Sequence, residues 1–133
     1  MSTFGEITAF KMITKKDLRT VLEIPTFEES TAVEKFQNEV LRPILKLQNE
    51  IFLAFYKAFL ARQKLDFTSL NPEKKRNFIN QSFQRDANLK NICLGLTLGM
   101  LTAEEFEIYN LDDKAYNKRI FTMLSERILS QLL

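Results

Sequence analysis

The chain has 133 residues, 45% of them apolar and 27% charged, with 19 Lys and Arg against 17 Asp and Glu. This is the balance of a globular domain and excludes fibrous and disordered classes. Zero His removes the commonest general base and metal ligand, which excludes His-based triads, zinc sites and Glu-x-x-His di-iron sites, and a net charge of +2 with interspersed signs offers little field to nucleic acid or an anionic membrane.

Three Gly and three Pro leave few turns, which favours long helices, and twelve Phe with no Trp mean a core of Phe packed with Leu and Ile. One Cys rules out an intramolecular disulfide. The start, "MSTFGEITAFKMITKK", lacks a basic end followed by an apolar run and a cleavage site, so a cytoplasmic protein is expected.

Residues 1–13 carry Phe4, Ile7, Phe10, Met12 and Ile13, an apolar segment expected to pack on the core or on a partner. Thr14, with Asp17 three positions on, opens a short helix that Pro25 should stop. Thr31 and Glu34 form a capping box that starts a long helix. Pro43 lacks an amide proton and clashes with the carbonyl four residues back, so the spacing predicts two segments, 31–42 and 43–63, kinked or separated there.

Asn71 as cap with Pro72 at the first helical position opens the next helix, with Phe78, Ile79, Ser82 and Phe83 inward. Asp86 caps another, whose Leu89, Ile92, Cys93, Leu96 and Met100 make a helical stripe. Thr102 with Glu105 is a second capping box, Leu101 can staple to Phe106, and Asp112 starts a last helix with Ile120, Phe121, Leu124, Ile128 and Leu132 on one arc. No segment has a convincing strand period.

The stretch "IFLAFYKAFLA", residues 51–61, is apolar nearly all round, but polar residues on both sides leave it far short of the ~20 residues a membrane span needs. It is therefore expected at the middle of a bundle. Its Ala54 and Ala58 share a four-residue spacing with Gly95 and Gly99, which predicts a close helix crossing there and overpacking by Gly95→Leu.

Chemistry-bearing residues are few. Cys93 sits in an apolar stripe with no His to activate it and reads as core. Gln48, Asn49 and Tyr56 fall within the apolar arc, where they either bond to backbone or line a ligand pocket. Glu104, Glu105, Glu107, Asp112 and Asp113 match helix starts better than a calcium loop, and the basic sets Lys74, Lys75, Arg76 and Lys11, Lys15, Lys16, Arg19 read as solvated faces. There is no phosphate-binding Gly-rich loop and no nucleophile elbow.

The segments "EKFQNEVLRPILKLQNEIFLAFY" and "NKRIFTMLSERIL" resemble stretches of a small all-helical bacterial family of unassigned function, whose members sometimes carry a glyoxalase label. Glyoxalases proper are built from βαβββ modules and bind metal through His and Glu, whereas this chain has neither His nor a strand pattern.

The expectation is one all-α domain over residues 1–133, a bundle of five or six helices with 43–63, 87–100 and 113–132 as its core. Its expected role is non-catalytic, without a metal or cofactor, through self-association as a symmetric dimer or through a protein partner. Apolar residues beyond one stripe per helix, Leu129 and Leu133 among them, motivate that reading. The alternative is a small-molecule binder or enzyme with a pocket near Gln48, Asn49 and Tyr56; nucleic acid is disfavoured.

Overall fold

Five of the helices begin where a short polar side chain accepts a backbone N–H that has no partner within the helix. In the computed structural model, which describes residues 13–19 and 31–133, every regular element is helical. Thr31 accepts from the Glu34 amide at 3.1 Å and starts α1 (Ala32–Phe36). Asn71 starts α4 (Pro72–Arg85), Asp86 starts α5 (Ala87–Leu98), and Asp112 starts α7 (Asp113–Leu132). At α6 (Ala103–Leu111) Thr102 and Glu105 close the full reciprocal box.

Pro43 changes the helix type rather than ending it. Between α1 and α2 (Arg42–Leu47) lies a π turn, Gln37–Leu41, where the Arg42 amide donates to the Gln37 carbonyl five residues back. The wider turn relieves the crowding that the proline ring imposes on the carbonyls before it. A second break, unmarked by Pro or Gly, falls at Gln48 (φ −92°, ψ 10°), after which α3 (Asn49–Ala61) sets off. A single 3₁₀ turn, Phe67–Ser69, then leads to α4.

The core is a column of aromatic rings crossing three helices. Phe59 and Tyr56 of α3 lie 5.5 Å apart, Tyr56 stacks on Phe83 of α4 at 5.5 Å, and Phe83 stacks on Phe121 of α7 at 6.4 Å. A second column joins Phe36, Tyr116 and Tyr109. All three tyrosines are buried, and Leu41, Ile44, Leu45, Ile79, Leu89, Ile120, Leu124 and Ile128 fill the space between the columns. Among the described residues no two helices separated in the chain share more contact than α4 and α7, so α4 belongs to the core beside the three segments expected from sequence.

Two expectations about packing are corrected. Helix α3 does not run through the middle of the bundle: Phe52, Tyr56 and Phe59 face inward while Ile51, Ala54, Ala58 and Ala61 are exposed. Burying the aromatic arc removes far more apolar surface from water than burying the alanine arc. Nor do Ala54, Ala58, Gly95 and Gly99 form a crossing. Helices α3 and α5 are neighbours, but α5 buries Leu89, Cys93 and Thr97, and both glycines lie on its outer side. A Cβ built on Gly95 meets nothing within 4 Å.

The N-terminal stretch 13–19 is a hydrogen-bonded turn and not a helix, with Thr14 and Asp17 bonded to each other. The rest of the helix expected up to Pro25, and the apolar residues Phe4, Ile7, Phe10 and Met12, lie outside the described residues. Arg19 is no member of a solvated face: it crosses to the α5–α6 junction, where its guanidinium donates to both Glu105 oxygens at 2.7 Å and to the Met100 carbonyl. Lys15 Nζ adds a bond to the Leu101 carbonyl at 3.0 Å.

Candidate functional site

The three residues singled out for a pocket are not brought together. Tyr56 is fully buried, and its hydroxyl lies 2.8 Å from Ser82 Oγ. Ser82 gives its own proton to the Ile79 carbonyl at 2.7 Å, so Tyr56 is the donor in the first bond. Burial pushes the Tyr56 phenol up to about 12, the Ser82 bond opposing it. Asn49 instead faces the end of α7 in a reciprocal amide pair with Gln131, at 2.8 and 2.9 Å. Gln48 is the corner between α2 and α3. Tyr56 and Asn49 are thus satisfied by two different neighbours, and none of the trio lines the recesses described next.

The recesses lie on either side of α7, whose Lys118, Thr122 and Glu126 form an exposed ridge one turn apart. Between α7 and α4 runs a groove of about 570 Å³. Phe83, Phe121 and Leu129 make its floor, and Arg76, Lys90 and Lys118 its charged rim. Lys90 Nζ sits 5.5 Å over the Phe121 ring, within cation–π range.

On the other side, α7 faces α2 and the π turn. A recess of about 380 Å³ holds Gln37, Arg42, Lys118 and Arg119, and a smaller one of about 220 Å³ holds Arg42, Leu45 and Arg127; Met123 and Glu126 line both. Asn38 Oδ1 accepts from Arg42 Nε at 2.9 Å, and Gln37 Oε1 accepts from Arg119 Nη1 at 2.5 Å. Burial lowers the Arg127 guanidinium, and the positive charge of Arg42 lowers it further.

Nucleophilic and metal chemistry finds no support among the described residues. Cys93 is buried, and desolvation pushes its thiol up to about 12. No three His, Cys, Asp or Glu side chains converge there as a metal site. Of the acidic group near α6, Glu105 is spent on Arg19 and on the helix cap.

No family model matches this chain, and no curated protein or solved structure does.

No helix among the described residues is long and apolar enough to cross a membrane. The uncovered arc of α3 is one distinctive feature, with Ile51 47% exposed and Leu47 and Leu65 exposed before and after the helix. Of the two α7 residues that looked surplus in the sequence, Leu133 is exposed but Leu129 is buried. The arginines of the second feature escaped the sequence reading because Arg42, Arg119 and Arg127 form no run; only the fold sets Arg42 opposite the other two. Of the basic run at the start of α4, Arg76 lines the larger groove and Lys75 lies over the Phe67 ring.

Proposed function

We propose that this is a non-catalytic helical protein that works by pairing with a second copy of itself across the uncovered arc of α3. One observation carries the reading: Ile51, Ala54, Ala58 and Ala61 form a continuous apolar strip on the outside of the chain's most apolar helix. A helix that is apolar nearly all round is ordinarily covered on all sides, and a two-fold axis is the commonest way for a chain to cover its own surplus face.

The composition of the strip suits such a contact. Small side chains at the centre let two helices approach closely. In an antiparallel crossing Ala54 meets Ala58 of the second copy, and Glu50 at one end of α3 comes beside Arg62 and Lys64 at the other end of its twin. Leu47 and Leu65, exposed before and after the helix, add apolar surface near its two ends.

Sedimentation velocity over a concentration series tests this. The wild type is expected to dimerise with rising concentration, and Ile51→Glu or Ala58→Glu to be monomeric with unchanged circular dichroism. A wild type that stays monomeric at the highest attainable concentration overturns the proposal, and a dimer indifferent to both substitutions rejects this face.

A further inference from the structure

The two recesses between α7 and α2 share Arg42, Met123 and Glu126, so they form one continuous depression. Four cations line it, Arg42, Lys118, Arg119 and Arg127, against the single carboxylate of Glu126. None of the four forms an ion pair within the described residues, where the Arg19–Glu105 bridge shows what a paired arginine looks like in this chain. Four like charges held together with only one carboxylate oppose folding, which makes a cluster of this kind a place suited to an anion.

The arrangement is also pre-set. Neutral amides, not carboxylates, fix two of the guanidiniums: Asn38 takes only the Nε of Arg42, and Gln37 takes one Nη of Arg119. Their remaining N–H groups stay available in the planar fork that suits phosphate oxygens. Leu45 and Met123 supply an apolar lining that keeps competing water from part of the site.

We propose that this depression binds a small phosphorylated molecule, one phosphate between Arg42 and Arg127 and a second anionic group against Arg119 and Lys118. The two adjoining recesses suit two linked phosphates, which makes pyrophosphate the natural probe.

Isothermal titration and thermal unfolding with sodium pyrophosphate, against sodium chloride at equal ionic strength, test the proposal on the full chain. Pyrophosphate is expected to raise the wild-type melting temperature and orthophosphate to do so less. Arg42→Gln and Arg127→Gln should each weaken pyrophosphate binding about tenfold or more, as loss of a charge-assisted fork does, while melting no lower than wild type without ligand, because each relieves repulsion. Arg76→Gln, in the other groove, should bind as wild type does.

The proposal fails if pyrophosphate does no more than chloride, if its effect survives both glutamine variants, or if Arg76→Gln abolishes it equally. It also fails if a short single-stranded oligonucleotide binds more tightly than pyrophosphate at the same salt. Should a glutamine variant lose its helical signal, lysine at that position keeps the charge but not the fork, and the same loss of affinity is expected.

Discussion

Arg19 reaches Glu105 through two parallel hydrogen bonds of 2.7 Å, with both side chains only 7% exposed and 86 positions of chain between them. Removing one partner leaves the other charge buried, which costs about 3–5 kcal/mol. Arg19→Ala should therefore lower urea stability severely, and Arg19→Met combined with Glu105→Gln should lower it far less. The same pair sets an acid limit. Burial by itself raises the Glu105 carboxyl, but bonds from Arg19 and from the Thr102 amide, with the charges of Arg19 and Lys16, outweigh it and hold the group below its ordinary range. A lowered folded-state value means that the stabilisation is complete above the ordinary carboxylate value of about 4.3 and is lost as pH falls below it. Melting temperature should drop across that acid window, and Glu105→Gln should flatten the drop.

The hydroxyl chain from Tyr56 through Ser82 to the Ile79 carbonyl has a direction, and the direction makes its two ends unequal. Tyr56→Phe removes a donor but leaves Ser82 bonded to Ile79, for a loss of about 1 kcal/mol. Ser82→Ala strands a buried phenol proton and should cost more, about 1–3 kcal/mol. Denaturant titration of both variants checks the order; a larger loss for Tyr56→Phe than for Ser82→Ala would overturn this direction.

Cys93 should be silent toward thiol reagents. With its thiol at about 12 and the side chain buried, almost no thiolate exists near pH 8, and labelling must await an opening of α5. The labelling rate should follow the unfolding equilibrium through a urea series. Because the folded value lies above that of the free thiol, the group also favours the folded state at neutral pH and loses that contribution as pH rises past about 8.5.

At Gly95 there is room for a methyl group and nothing to clash with it. Gly95→Ala should raise stability by about 0.5–1 kcal/mol through helix propensity alone. Gly99→Ala would put its Cβ 3.1 Å from the Gly95 carbonyl oxygen, so it should gain less or lose. Thermal melts of the two variants decide.

The features that were legible in the sequence are those that depend on neighbours in the chain. Asn71, Asp86, Thr102 and Asp112 cap the helices they announce, because a cap is settled within three or four residues. The inward sides of α4 and α7 were legible for the same reason, since each has one apolar side, whereas of the stripe expected on α5 only Leu89 and Cys93 are buried and Ile92, Leu96 and Met100 are half-buried. Helix α3 has no polar side to mark its outside, so its orientation was decided by which arc carried the larger rings. Thr97 escaped notice as a buried residue because its hydroxyl is satisfied inside its own helix, by the Cys93 carbonyl at 2.9 Å. Arg19, Arg42, Arg119 and Arg127 were illegible because a basic side chain gives no sign of a neighbour some eighty residues away. The corner at Gln48 has no local breaker, and packing on either side places it.

The wide turn before Pro43 also governs where a charge points. Each residue added to a helix rotates everything after it by about 100°. The π turn takes up one residue beyond α-helical count, and with that phase Pro43, Ile44 and Leu45 turn to the interior while Arg42 turns toward α7. Shortening Gln37–Leu41 by one residue would swing Arg42 away from Arg127 or drive Ile44 out of the core. The length of that turn, more than the identity of any residue in it, aims the arginine.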